Sequence, residues 1–318
     1  MPSRSSRMEP NLRMTRRRFL MGLGVSAGLV AGGIFRHVPV YANAMTNEFP
    51  VTPFRFVHLT DSHLGYTGDA NREVAESLYL ALEAIQGLTP VPDFILMTGD
   101  LTEMTPSDST RKDRLGLFRQ ALESTKIPWH AVAGEHDALL DRGTLYERMI
   151  GDLRYGFSHK GVRFIGLDNV SRGFFLGRDQ LNWVKSQLDT LDPATPLIFF
   201  CHAPLYNVFA PWNWYTYDGA ALRQLAQPFR MVSVLYGHVH QLITCQTSNV
   251  YHAAGLPTSW PLPAPGELVA LRPWPQGATH PYLGLGFRVV DVNAQGRLHI
   301  TNLSLTKEEE VYHAARLV

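Results

Sequence analysis

Short apolar runs alternate with stretches of helical spacing through most of the chain. Phe54–Leu59, Asp93–Met97, Trp129–Ala133, Leu197–Phe200 and Met231–Tyr236 are four to six residues long and dominated by apolar side chains, which predicts buried strands. Between the first two, Val74, Leu78, Leu82, Ile85 and Leu88 recur every three or four positions, the stripe of an amphipathic helix that Pro90 and Pro92 end. A second helix is expected over residues 109–125, with Leu115, Phe118 and Leu122 on one face. A third is marked by Leu181, Val184, Leu188 and Leu191 and stopped by Pro193. Arg154–His159 and Val162–Leu167, split by Lys160-Gly161, read as a β-hairpin. Leu197–Phe200 is apolar throughout, as a strand covered on both faces should be. After Tyr236 the helical spacing fades. Leu242–Gln246, Val250–Ala253, Phe287–Val292 and Leu298–Leu305 read as antiparallel strands, and the Pro- and Gly-rich residues 256–283 as a long surface loop. The order is α/β first, with α+β character toward the end.

The start of the chain follows a different pattern. Thr15-Arg16-Arg17-Arg18-Phe19-Leu20-Met21 resembles a twin-arginine export signal. The apolar stretch behind it, Phe19–Phe35, is rich in Gly and Ala and short of the roughly 20 strongly apolar residues of a good membrane span. Ala42-Asn43-Ala44 has the small residues of a cleavage site. The expectation is a signal peptide over residues 1–44 and a single domain over 45–318, exported by the twin-arginine machinery to the periplasm or beyond, without a stable membrane span once processed. The alternative is an uncleaved N-terminal anchor.

Charge sharpens this division. The 318 residues carry a net +1, but the first 44 hold seven arginines against one acid, Glu9, which leaves the remainder at −5. Affinity for a nucleic-acid backbone needs clustered Lys and Arg, so a polymeric nucleic acid is disfavoured as partner, whereas a small nucleotide is not. Cys201 and Cys245 do not make a disulfide framework and are expected to be free thiols.

Chemistry-bearing residues stand at the ends of the five apolar runs: Asp61-Ser62-His63, Gly99-Asp100, Gly134-Glu135-His136-Asp137, His202, and Gly237-His238-Val239-His240. Side chains at strand ends project into the crevice where open α/β sheets bind ligands. Asp, Glu and His together suit first-row transition metals. Two such ions about 3.5–4 Å apart acidify a water and clamp a phosphoryl group, and a carboxylate must bridge them; Asp100 suits that position. His238 and His240, two residues apart, would face the same side of an extended chain.

These motifs resemble, in order and spacing, the calcineurin-like metallophosphoesterases, whose pattern is D-x-H, G-D, G-N-H-[DE], a lone His and G-H-x-H. The resemblance implies a two-sheet β-sandwich flanked by helices in four layers, and a phosphoric ester hydrolase with two divalent or mixed-valence transition-metal ions (Mn, Fe or Zn). It assigns one metal to Asp61, His63 and His240, the other to Glu135, His202 and His238, with Asp100 bridging. It makes His136 the catalytic imidazole that contacts the phosphate and protonates the leaving oxygen. Asp137 is expected to orient His136. The expected substrate is a small phosphoester, a nucleotide among the candidates, with phosphodiesters favoured and attack by a metal-bridging hydroxide. The alternatives are a phosphomonoesterase or nucleotidase, and an exported, non-catalytic metal-binding protein altered at Glu135.

Glu135 is the departure, because the family has Asn there. As a ligand it would bring a third carboxylate to the site, favour a harder or more highly charged ion, and weaken the site as an electrophile toward an anionic ester. Glu103 stands where purple acid phosphatases carry a ligating Tyr, which argues against that branch, and reads otherwise as a solvated loop residue. The segment Tyr206–Tyr217 is rich in aromatics, including Trp212 and Trp214; it reads either as a stacking surface for a base or as a lid packed on its own scaffold. His58, His130, His159, His252, His280, His299 and His313 read as structural, and Asp108, Asp141 and Asp218 as helix caps.

Overall fold

The computed structural model describes residues 51–267, 282 and 284–305. The expected signal segment, His280, His313 and most of residues 268–283 lie outside the described residues.

Eleven strands form two sheets among the described residues. In the first sheet β1 (Phe54–Leu59), β2 (Phe94–Thr98) and β3 (Trp129–Val132) run parallel, and β10 (Gly286–Val292) and β11 (Leu298–Ser304) add to the β1 edge antiparallel, in the order β11-β10-β1-β2-β3. In the second, β5 (Val162–Gly166), β6 (Leu197–Phe200), β7 (Val232–Tyr236) and β9 (Val250–Ala254) are parallel. β4 (Tyr155–His159) and β8 (Thr244–Thr247) pair antiparallel at its two edges. β9 pairs antiparallel with β8 as its sequence position suggests, but its other neighbour is the parallel β7, a long-range partner that local pattern does not encode.

The period of two along each strand builds the layers. Phe54 and Phe56 of β1, Phe94 and Leu96 of β2, and Ile198 and Phe200 of β6 meet in one cluster between the sheets. The alternate residues Val57, Leu59, Ile95 and Met97 pack outward with Leu78, Leu82 and Ile85 of α1 (Val74–Gln86) and Leu115, Phe118 and Leu122 of α2 (Asp108–Ser124). On the far side Leu197 and Phe199 pack with Val184 and Leu188 of α5 (Gly177–Leu188) and Leu222 and Ala226 of α6 (Gly219–Ala226). The result is the expected α/β sandwich of four layers, helices–sheet–sheet–helices. No helix among the described residues is long and apolar enough to cross a membrane.

Two very short helices complete the set, α3 (Glu135–Ala138) and α4 (Thr144–Met149). The expected caps resolve differently in each case. Ser107, not Asp108, caps α2 by accepting from Thr110 N–H. Asp141 accepts from Gly143 N–H and Leu145 N–H at the start of α4. Asp218 accepts from Leu176 and Gly177 N–H, both 2.8 Å, so it caps α5 across 41 residues and not its own helix. Residues 257–260 are not surface loop: all four are buried, because this segment crosses back over the strand ends, where Thr258 N–H donates to Thr60 C=O and Ser259 N–H to Asp61 C=O.

Candidate metal centre

The loops after β1, β2 and β7 turn sharply as they leave the sheets. Asp61, His63, Asp100, His238 and His240 all have positive φ, between 43° and 69°, a region costly for residues with a Cβ. Neighbouring loops hold them there: Asp61 N–H donates to Gly99 C=O, His63 N–H to Asp100 C=O, and His238 N–H to the Asp61 carboxylate at 3.0 Å. His238 and His240 reach the same centre, but through this left-handed turn and not along an extended strand as their spacing suggests. Gly237 and Gly134 permit the closeness. A Cβ on Gly237 would land on the Thr60 hydroxyl, and one on Gly134 on the Asp100 carboxylate.

The side chains gather in two groups. Asp61, His63 and His240 form one: His240 Nε2 lies 3.4 Å from Asp61 Oδ1 and 3.2 Å from His63 Nε2. Glu135, His202 and His238 form the other: the Glu135 carboxylate meets His202 Nε2 at 2.8 Å and His238 Nδ1 at 2.9 Å. Asp100 stands between them, its Oδ2 being 3.3 Å from His63 Nε2 and 3.4 Å from His202 Nε2. Asp61, Asp100 and the four imidazoles are all at most 4% exposed. Glu135 thus falls among the second group's imidazoles.

This donor set fits cations. His202 Nδ1 is 2.8 Å from Thr98 C=O, and His240 Nδ1 is 2.7 Å from Trp260 C=O; a carbonyl can only accept, so both protons sit on Nδ1. His63 Nδ1 faces the Glu103 carboxylate at 2.9 Å in the same way. The three Nε2 atoms are left as lone pairs, turned toward one another and toward carboxylate oxygens. His238 Nε2 is buried without any hydrogen-bond partner, and Glu135 Oε2 faces His202 Nε2. Lone pairs crowded like this repel unless positive charge lies among them, and an outer acceptor on each imidazole is how metal-ligating histidines are oriented. The electrostatics point the same way. Burial opposes a charge on His202, yet Asp100 and Glu135 push its pKa well above the ordinary value. Burial would raise Glu135, yet His238 and His202 hold it well below the usual carboxylate range.

His136 lies beside Asp100, with Nε2 4.0 Å from Asp100 Oδ2, and is a quarter exposed. Its Nδ1 is 3.2 Å from Met104 N–H and 3.4 Å from Glu103 Oε2. The amide favours a neutral ring and the carboxylate a protonated one. Burial disfavours the charged ring, but Asp100 and Glu103 overcome it and push the pKa up to about 10. Glu103 is therefore no solvated loop residue. Against the cost of burial, His136 and His63 bring its pKa down to about 2. The expectation that Asp137 orients His136 is replaced by this contact. The Asp137 carboxylate is spent on main-chain N–H groups of Leu101 and Thr102 (3.0 Å) and Gly134 (2.9 Å), fixing the loop after β2 to the start of α3.

Aromatic rings wall the crevice. Trp260 lies 4.5 Å from His63 and 5.2 Å from His240, with the Tyr66 ring tilted by 35° against it at 4.1 Å. Trp214 lies 4.9 Å and Phe174 5.2 Å from His238. Of the two loop tryptophans, only Trp214 faces the site; Trp212 is buried against Phe209. Sequence reasoning also missed Asn169. This fully buried amide donates to Ala203 C=O and Thr216 Oγ1 and accepts from His202 N–H, tying the aromatic loop to the His202 turn. The available signal was the polar pair Asp168-Asn169 just after the apolar run of β5.

Four of the remaining histidines, His58, His130, His159 and His252, are held in structural contacts. His58 Nε2 bonds Thr98 Oγ1, His130 stacks on Phe157, His159 pairs with Asp93, and His252 meets Thr247. Both cysteines are free.

The chain is similar to several known proteins. A 3′,5′-cyclic-nucleotide phosphodiesterase from Nostoc sp. is 26% identical over 221 residues, 65% of this chain and 79% of the relative. A serine/threonine-protein phosphatase from Bos taurus is 24% identical over 66% of this chain and 78% of its own. Among solved structures, a dimetal phosphatase from Danio rerio superposes with a TM-score of 0.56 over 81% of this chain and all of its own, at 15% identity. The sequence profile of calcineurin-like phosphoesterases matches residues 54–242, more than half of the chain. The protein belongs to the calcineurin-like phosphoesterase family and is a phosphoric ester hydrolase.

Proposed function

We propose that the protein hydrolyses small phosphodiesters with two transition-metal ions held at this crevice. The observation that carries the reading is the pair of buried donor groups sharing one Asp100 oxygen. Asp61, His63 and His240 would hold one ion, Glu135, His202 and His238 the other, and Asp100 both. When bound, such a pair supplies a nucleophile near neutral pH and positive charge against the phosphoryl oxygens. The chain's own residues do the rest. His136 keeps a proton on Nε2 beside Asp100 and delivers it to the departing oxygen. Glu103 holds that ring from behind. Trp214, Phe174 and Trp260 line the crevice for the organic arms of the ester and limit access of bulk water.

Diesters are favoured over monoesters by the Nostoc relative's named activity, and cyclic nucleotides are the first class to test. The bovine relative's named activity supports the runner-up, a phosphomonoesterase. Mn, Fe and Zn all suit the donors. Residues 1–44 are proposed as a twin-arginine signal that sends a single domain, 45–318, to the periplasm, on the strength of Arg16-Arg17-Arg18 and the apolar stretch behind them.

The test is metal content by mass spectrometry on protein purified without added metal, together with hydrolysis of bis(p-nitrophenyl) phosphate. Close to two transition-metal ions per chain are expected, with activity that a chelator abolishes and one of these metals restores. A chelator-resistant activity, or full activity with no more than one ion, would refute the dinuclear reading.

A further inference from the structure

The crevice carries two carboxylates beyond those that the family's pattern supplies, and they flank the reacting centre. Glu135 is 16% exposed and Glu103 22%, both open to the crevice and little screened by solvent. Glu135 stands among His202 and His238. Glu103 stands against His63 and His136, on the other side of Asp100. With Asp61 and Asp100 they place four negative charges around the proposed pair of ions. Asp61 and Asp100 alone would offset two of the four positive charges of two divalent ions, and Glu103 and Glu135 lower the remaining charge by two more. Arg114 of α2 reaches only the main-chain oxygen of Glu103, at 2.6 Å, and is half-buried.

We propose that Glu103 and Glu135 are specificity-determining residues that set the crevice for a singly charged phosphoryl group and against a doubly charged one. The proposal rests on the dinuclear phosphoesterase reading above. A phosphodiester is a monoanion, and each extra carboxylate repels its single charge. A phosphomonoester at pH 8 is a dianion, which each extra carboxylate repels about twice as strongly. Neutralising either carboxylate returns one unit of positive potential to the centre. A dianion gains about twice what a monoanion gains from that unit, so the preference shifts toward the monoester.

The experiment uses two substrates with the same leaving group that differ by one methyl and one charge: p-nitrophenyl phosphate and methyl p-nitrophenyl phosphate. Wild type, Glu103→Gln, Glu135→Gln and the double variant are compared at pH 8 after metal content is measured on each. Wild type is expected to favour the methyl ester once the two uncatalysed rates are allowed for. In each single variant the ratio of kcat/KM, monoester over diester, is expected to rise roughly tenfold, since one charge a few ångströms away in a partly screened site is worth about that much. The double variant should rise further. A second readout does not depend on turnover. By calorimetry on metal-loaded protein, inorganic phosphate should bind more tightly in both variants, and dimethyl phosphate should gain less. Ratios within twofold of wild type in both variants, with two ions retained, would overturn the proposal. Loss of metal from both would overturn it as well, because the carboxylates would then act as scaffold and not as a charge filter. If metal-loaded wild type neither hydrolyses the esters nor binds either anion, the phosphoesterase reading itself fails, which is a different result.

Discussion

His136 differs from the other crevice imidazoles in what its neighbours ask of it. His202 and His240 have Nδ1 committed to carbonyls, and their free nitrogens are lone pairs. His136 has a carboxylate behind it and an open side, so it can hold a proton and release it. General acid catalysis of this kind is worth about 10²–10⁴ in rate, but only where the leaving group needs the proton. His136→Asn should therefore lower kcat by about 10²–10³ on a diester with an alkyl alcohol as leaving group, and by less than about tenfold on bis(p-nitrophenyl) phosphate, whose phenolate leaves unaided. Metal content should be unchanged, as the ring completes neither of the two groups assigned to the ions. Equal losses on both substrates would mean that His136 binds phosphate without donating a proton. The pattern of Gly-x-His-Asp made His136 legible from sequence. Its partner was not, because Glu103 follows Asp100 by three residues in a loop with no periodicity, and only the fold brings it to Nδ1.

At the scale of elements, what was legible followed from period and apolar content. β1 and β6 have the bounds that their apolar runs predict, and α2 is shifted by one residue. These segments have alternating or continuous apolar faces that point to burial without tertiary information. α3 and α4 are four and six residues long, too short to develop an apolar stripe, and they form because loops and packing hold them. The segment 257–260 looked like surface loop because Pro-rich composition reports a lack of regular structure and not exposure. α3 shows how such an element is held. Asp137 accepts from Gly134 N–H at the helix start and from Leu101 and Thr102 N–H in the loop that carries Asp100. Asp137→Ala would leave three buried N–H groups without a partner, at about 1–3 kcal/mol each before relaxation. An overall loss of roughly 3 kcal/mol or more in urea unfolding is expected, with metal affinity reduced because Asp100 and Glu135 both depend on this junction. A loss below about 1 kcal/mol would show that the junction is held elsewhere.

The whole molecule joins two sheets face to face, and the buried polar groups in its interior set how it responds to acid. His58, on β1, is fully buried; burial, and then the charge of Arg288 in the neighbouring strand, lower its pKa to about 3. His252, on β9, is also lowered to about 3, by burial and then Arg223. Both rings stay neutral in the folded state to well below the 6.5 of an exposed histidine. The unfolded chain then binds more protons than the folded one between about pH 3 and 6.5. Stability is therefore complete above pH 6.5 and falls with pH through that window, by up to about 1.4 kcal/mol per pH unit for each ring. Asp93, tied to His159 and Lys160 across the two sheets, adds a loss at lower pH: burial would raise its pKa, but the bonds from Lys160 and His159 lower it, so its contribution fades only as it protonates below the usual carboxylate range. The metal ligands also take up protons in acid, so the comparison must be between two proteins that share them. Urea unfolding of metal-free wild type and His252→Gln, measured from pH 7.5 to 4, isolates one ring. The substitution should cost stability at pH 7.5, where Thr247 loses its imidazole partner. That deficit should shrink by up to about 1.4 kcal/mol per pH unit of descent below 6.5, and reverse in sign once the accumulated change exceeds it. A deficit that stayed constant from pH 7.5 to 4 would show that His252 takes up its proton in the folded state, and that the second sheet opens to water well before the domain unfolds.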